Sequence, residues 1–183
     1  VNRFERKWIY KNKDHLTLVN SLIRSNLLFN KQHPDRRVNS IYFDDKNYSS
    51  IIENLDGVSG KKKIRLRWYG NQNKLLNPIL EIKSKRSFEN NKVSYNISGL
   101  NDLKFNDFKN LEYISDIVNS KKITKNILFP ILTTNYDRQY FISNNEKIRA
   151  TVDYNLKSIY LKNLSQIDII KNYSSSCILE VKY

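Results

Sequence analysis

The stretch KKKIRLRWYGNQNKLLNPILEIKSK, residues 61–85, decides how the chain is read. Lys63, Arg65, Arg67 and Tyr69 alternate with Ile64, Leu66 and Trp68, and Glu81, Lys83 and Lys85 alternate with Leu80 and Ile82. A period of two marks strands whose two faces meet different surroundings. One face is core. The other carries charge, and is either a solvated surface or the lining of a closed cavity that holds a polyanion. Residues 71–78 connect the two strands.

The same alternation recurs along the chain. Arg3 to Tyr10 reads as a strand with Glu5 and Lys7 sharing a face. Val38 to Asp44 puts Ser40, Tyr42 and Asp44 together, and Lys92 to Ile97 does so for Lys92, Ser94 and Asn96. Ile131 to Ile142 and Lys147 to Tyr154 are expected to form a hairpin turning at residues 143–146. It carries Tyr136, Arg138 and Tyr140 on one strand and Arg149, Thr151 and Asp153 on the other. A further strand is expected around Leu156 to Leu161, and a last one, Cys177 to Tyr183, sets Glu180 and Lys182 against Leu179 and Val181.

Between these lie helical signals. Asp14 is placed to cap a helix with Leu16, Val19, Leu22, Ile23 and Leu27 at helical spacing. Asp45 opens a short helix with Tyr48, Ile51, Ile52 and Leu55 along one side, closed by Gly57. A third helix is expected from about Asp107 to Asn119, through Phe108, Leu111, Ile114 and Val118. The polar stretch Lys31 to Arg37, which contains Pro34, reads as a loop.

The 183 residues suit one domain with a real core. A formal net charge of +14 favours an acidic partner. Part of the Lys surplus fits an AT-rich coding sequence, so placement says more than the total. The single cysteine, Cys177, excludes an internal disulfide and fits a reducing compartment, and no apolar run is long enough to span a bilayer. The expected location is the cytoplasm. With no initiator Met, the chain reads as a segment of a longer protein.

The charged strand positions form one set: Glu5, Lys7, Arg65, Arg67, Glu81, Lys83, Lys92, Arg138, Arg149, Asp153, Glu180 and Lys182. Antiparallel strands with apolar outer faces, covered by amphipathic helices, can close with the polar face inward. Phosphates would pair the cations, and the few carboxylates suit Mg²⁺ or Mn²⁺. No Ser-His-acid or Cys-His arrangement is present to suggest a covalent nucleophile. His15 and His33 read as surface residues, Tyr69, Tyr136 and Tyr140 as packing residues, and Asp153 as a salt-bridge partner of Arg149 or a metal ligand. The arginines sit at strand positions rather than on an exposed helix, which disfavours nucleic acid as the partner.

Seven pieces, ERK (5–7), SIYFD (40–44), RLRWYG (65–70), LEIK (80–83), YDR (136–138), RATVD (149–153) and LEVK (179–182), resemble the VTC domain in order over nearly the whole chain. That domain is the polyphosphate polymerase domain of the vacuolar transporter chaperone complex, in the triphosphate tunnel metalloenzyme (CYTH-like) superfamily. The resemblance implies an α+β fold: an antiparallel β-barrel, or triphosphate tunnel, of about eight strands with helices outside, spanning residues 1–183 as a single domain. It implies transfer of the γ-phosphoryl group of ATP onto polyphosphate with Mn²⁺ or Mg²⁺. Partners would be ATP or another triphosphate, pyrophosphate and polyphosphate. Lys7, Arg65, Arg67, Lys83, Arg138 and Arg149 would act on the phosphates, and Lys92, Lys182 and Tyr42 would bind substrate. Glu180 would be the main metal ligand, with Glu5 and Glu81 secondary.

The same clamp also suits a triphosphatase or a non-catalytic module that binds polyphosphate or inositol phosphates. One departure is that family members continue past the LEVK strand to a Ser-Lys-Tyr/Phe segment, so the chain is expected to be truncated at its C-terminus.

Overall fold

A computed structural model describes residues 4–11, 14–58, 60–86, 89–104, 108–163, 166–173 and 175–183. The elements in chain order are β1 (Glu5–Lys11), α1 (His15–Ile23), β2 (Asn30–Asp44), α2 (Ser49–Leu55), β3 (Lys62–Tyr69), β4 (Ile79–Arg86) and β5 (Glu89–Asn96). A 3-10 turn (Ser98–Leu100), α3 (Phe108–Ser120), β6 (Phe129–Ile142), β7 (Arg149–Asn163), β8 (Gln166–Tyr173) and β9 (Ser176–Lys182) complete the set. The fold is α+β: an antiparallel sheet with strand order β1-β9-β7-β6-β2-β3-β4-β5, and β8 paired to β7 off this path. Among the described residues the hydrogen-bonded path stays open between its end strands β1 and β5. No described helix is long and apolar enough to cross a membrane.

The chain divides into two compact units. The first comprises residues 1–38, 135–157 and 171–183, the second residues 39–134 and 158–170. In the second unit, Ile64, Leu66 and Trp68 of β3, Leu80 of β4 and Ile41 and Phe43 of β2 pack with Leu111, Ile114 and Val118 of α3. Each fully buried side chain of this kind contributes about 1.5–3 kcal/mol. The turn after β3 shows why RLRWYG is a distinctive piece of sequence. Gly70 takes φ +86°, which a side chain resists, and its carbonyl accepts from Asn39 Nδ2 at 3.1 Å. Trp68 Nε1 donates to the next carbonyl, of Asn71, at 2.9 Å.

In the first unit, Leu18 and Leu22 of α1 cover Phe141 of β6, Ala150 and Val152 of β7 and Cys177 of β9. Both units therefore bury one face of their strands under a helix and leave the other to polar side chains.

Several expectations change. Residues 31–37 are not a loop but the first half of β2. Most of their side chains are exposed, so no apolar alternation announces the strand, and charged pairs tie it down. Lys31 meets Asp35 at 2.8 Å, and Arg37 donates twice to Asp137 at 2.6 Å. The strand expected at 156–161 is the second half of β7, which runs on through Asn155 at φ +52°. The sequence reading assigned no strand to β8.

The buried stripe of α1 is Leu18 and Leu22, while Leu16 and Ile23 are exposed and Leu27 lies beyond the helix. Asp14 is the N-cap residue but makes no side-chain capping bond. In α2 no residue is buried; carboxylates hold its start instead. Asp44 accepts from the backbone N–H of Asp45, Ser50 and Ile51, and Asp45 accepts from those of Asn47 and Ser49. Arg3, Asp107 and the side chains of Lys85 and Phe108 lie outside the described residues.

Candidate phosphate-binding site

The polar face of the second unit is built by register. In β3 and β4, Arg65 stands opposite Glu81 and Lys63 opposite Lys83, and in β4 and β5, Lys83 stands opposite Lys92. Arg65 Nε and Nη2 both lie 2.6 Å from Glu81 Oε2, Lys92 Nζ lies 2.6 Å from Oε1, and Arg67 Nη1 is 3.7 Å from Oε2. Arg65 also donates to the Tyr42 hydroxyl at 3.3 Å, and Arg67 to that of Ser40 at 3.5 Å. The side chains of Arg65, Arg67 and Glu81 are only 15%, 12% and 8% exposed, so this part of the charged face is not a solvated surface, whereas Lys63, Lys83 and Lys92 beside it are exposed. Three cations surround one carboxylate. Two positive charges remain uncompensated, with both guanidiniums mostly buried and the Lys92 ammonium half-exposed, and an anion would neutralise them.

Burial would raise the Glu81 carboxyl, but Lys92, Arg65 and Arg67 outweigh it and hold it at about 2, against an ordinary 4.5. Its stabilisation is therefore complete above pH 4.5 and is lost as the pH falls towards 2, a contribution of about 3 kcal/mol. Urea titrations between pH 5 and 2 are expected to show wild type losing about that much more stability than Glu81→Gln. Parallel curves would remove Glu81 from this role.

The polar face of the first unit has a different balance. Register aligns Glu5 of β1 with Lys182 of β9 and Arg149 of β7, and Lys7 with Glu180 and Thr151. Lys7 Nζ lies 2.9 Å from Glu5 and 3.1 Å from Glu180; Lys182 Nζ lies 2.7 Å from Glu180 and 3.4 Å from Glu5. Burial raises the Glu180 carboxyl, but Lys182 and Lys7 win, and the net shift is downward.

Arg138 forks onto Asp153 with Nε–Oδ1 of 2.6 Å and Nη2–Oδ2 of 2.7 Å. It also lies over the Tyr136 ring, 5.2 Å from its centroid. Burial pushes the Asp153 carboxyl up against the pull of Arg138; burial also works to lower the Arg138 guanidinium, but Asp153 outweighs it and the net shift is upward. Two short parallel bonds keep the pair ionised. Asp153 therefore pairs with Arg138, not with Arg149, which is exposed and has no ion pair among the described residues.

The structure thus gathers the predicted residues into two sets. Arg65, Arg67, Glu81, Lys92 and Tyr42 form one, with Lys83 exposed beside Lys92. Lys7, Glu5, Glu180, Lys182 and Arg138 form the other, with Arg149 in their strand register. Two features escaped the sequence reading: the Arg138–Asp153 fork and the ring of charge joining Glu5, Lys7, Glu180 and Lys182. Both follow from cross-strand register, which alternation alone does not give.

Residues 2–183 match the VTC domain family. The chain belongs to the VTC domain family. No curated protein matches it significantly. Among solved structures this VTC domain is similar to proposed adenylate cyclases. One from Vibrio parahaemolyticus is 12% identical at TM-score 0.51, over 98% of this chain and 75% of that one. One from Bacillus halodurans is 15% identical at TM-score 0.53, over 98% and 79%. A third, from Hippeastrum, is described as having a dominant triphosphatase activity. It is 11% identical at TM-score 0.52, over 98% and 78%. At these identities the likeness is one of fold, the CYTH-like triphosphate tunnel fold, and the VTC family handles phosphate and triphosphate chemistry.

Divalent metal ions are typical of the triphosphate tunnel metalloenzymes, and the donor set here suits one. Glu5 and Glu180 carry hard oxygen atoms on neighbouring strands, and the Thr151 hydroxyl in register with Glu180 is buried with no hydrogen-bond partner. No group of three or more His, Cys, Asp or Glu is gathered among the described residues. An ion here would take its remaining ligands from phosphate and water, as Mg²⁺ commonly does. Glu81 has both oxygens engaged by cations, as do Glu5 and Glu180, but it is surrounded by three cations and has no second carboxylate beside it among the described residues.

Proposed function

We propose that this VTC domain is a metal-dependent polyphosphate polymerase that moves the γ-phosphoryl group of ATP onto the end of a polyphosphate chain. The observation that carries the reading is the surplus of positive charge around Glu81, made by the largely buried Arg65 and Arg67 and the half-exposed Lys92. Membership of the VTC family over residues 2–183, a family of phosphate and triphosphate chemistry, supports the reading. In the reaction a terminal phosphate oxygen of the chain bonds to the γ-phosphorus. The bond from that phosphorus to the β–γ bridging oxygen breaks, and ADP leaves with the electron pair.

Such a transfer asks the protein for alignment and charge neutralisation rather than covalent work. Arg65 and Arg67 hold equatorial phosphate oxygens through planar donors, with Tyr42 and Ser40 fixing the two guanidiniums. Lys83 and Lys92 neutralise the neighbouring phosphates; within the first unit, Lys7, Lys182 and Arg149 form a separate set of candidate phosphate contacts. Glu180 and Glu5 would hold Mn²⁺ or Mg²⁺, which would supply Lewis-acid polarisation of a bound phosphate.

Water is the competing acceptor, as in the activity described for the Hippeastrum neighbour. Incubation with ATP and Mn²⁺, resolved on a polyacrylamide gel, tests the choice. The polymerase gives a ladder of long chains and ADP. Orthophosphate without a ladder would assign the domain as a triphosphatase, and binding without product would leave a phosphate-binding module.

A further inference from the structure

The four groups at the β1–β9 edge form a closed ring of ion pairs. Lys7 bridges Glu5 Oε1 and Glu180 Oε2, and Lys182 bridges Glu180 Oε1 and Glu5 Oε2. All four carboxylate oxygens are engaged, and the ring is electrically neutral. The lysine side chains are 54% and 44% exposed, whereas Glu180 is 8% exposed, so the ammonium groups lie on the open side of a fixed carboxylate. The Arg138–Asp153 fork beside them is more deeply buried and held by two short bonds.

We propose that Lys7 and Lys182 are a displaceable internal counter-ion for Glu5 and Glu180, so that a divalent cation and a phosphate chain enter this site as a pair, each strengthening the other's binding. The inference rests on the phosphoryl-transfer reading above and adds a coupling device to it. A divalent cation alone must push two ammonium groups off the carboxylates and leave them unpaired beside a like charge. A phosphate chain alone finds both lysines already satisfied. Arriving together, the two ligands make an exchange in which every charge keeps a partner. The carboxylates take the metal, and the ammonium groups swing on their flexible stems onto phosphate oxygens. The unpartnered Thr151 hydroxyl, in register with Glu180, gains a phosphate or water oxygen in the same step. Coupling of this kind is reciprocal, with typical factors of about 5- to 150-fold.

The test is Mn²⁺ binding to the whole chain, followed by electron paramagnetic resonance without any nucleotide, for wild type, Lys182→Gln and Lys7→Gln. Removing one ammonium opens the ring, so both variants are expected to bind Mn²⁺ alone at least about fivefold more tightly than wild type. The lysine variants are also expected to show a smaller increase in Mn²⁺ affinity when inorganic triphosphate is added. Circular dichroism verifies folding, and Glu180→Gln is expected to abolish the tightened binding. Mn²⁺ affinity that is unchanged or weaker in both lysine variants, while triphosphate still raises Tm in wild type, would overturn the counter-ion proposal alone. If neither triphosphate nor Mn²⁺, singly or together, changes wild-type Tm, the phosphoryl-transfer reading fails with it.

Discussion

Arg138→Ala is expected to destabilise the protein by about 3–5 kcal/mol, enough to threaten folding of a domain this size. The reason is its partner. Asp153 is buried and receives two charge-assisted bonds of 2.6 and 2.7 Å from this one guanidinium, so truncation strands a carboxylate that burial already disfavours. The sequence pattern suggests the reverse: an arginine among many cations looks like an unpaired charge whose removal relieves repulsion. Urea unfolding of Arg138→Ala, Asp153→Ala and the double variant decides between them. The double variant is expected to recover most of the loss, because it removes both charges together. A single-variant loss below about 1 kcal/mol would contradict the ion-pair account, since that is the range of an exposed pair.

Arg67→Ala is expected to do the opposite. Arg67 approaches Glu81 only at 3.7 Å, and Glu81 keeps Arg65 and Lys92 at 2.6 Å when Arg67 is gone. No buried charge is stranded, and one of two surplus cations disappears. Stability is expected to change by less than about 1 kcal/mol. Affinity for inorganic triphosphate is expected to fall by about 2–5 kcal/mol, from tens-fold to thousands-fold, because a mostly buried guanidinium is lost from an anion site. Titration calorimetry beside urea unfolding measures both terms. An unchanged dissociation constant would remove the β3–β5 face from phosphate binding. The contrast between Arg67 and Arg138 separates a cation kept for a ligand from a cation kept for the fold.

Much of this was legible in the chain. Alternation in residues 61–85 gives β3 and β4, the side each residue faces, and the charged set on one of those sides. Of those charges Arg65, Arg67 and Glu81 are mostly buried while Lys63 and Lys83 are exposed, and the resemblance carried by RLRWYG and its companions is matched by family membership over residues 2–183.

What alternation does not encode is register and pairing. Asp153 and Arg149 share a face and are close in sequence, which makes them look like partners. The paired strand brings Arg138 to Asp153 instead and aligns Arg149 with Lys182. Residues 31–37 were misread for a related reason: a strand polar on both faces has no apolar period, and its support comes from Asp137 and Gln139 of β6, which sequence spacing does not reveal. Likewise the left-handed Asn155 splits β7 into two apparent segments in the sequence. The apolar side expected for α2 is exposed because Asp44 and Asp45, rather than packing, hold the helix start.

The central claim is that the surplus cations of the β3–β5 face exist to hold a phosphate chain. Calorimetric titration of the wild-type chain with inorganic triphosphate at physiological salt tests it most directly. The account predicts saturable binding at one site, far tighter than for orthophosphate, because several cations engage successive phosphates. No measurable heat, or an affinity no better than for orthophosphate, would contradict it.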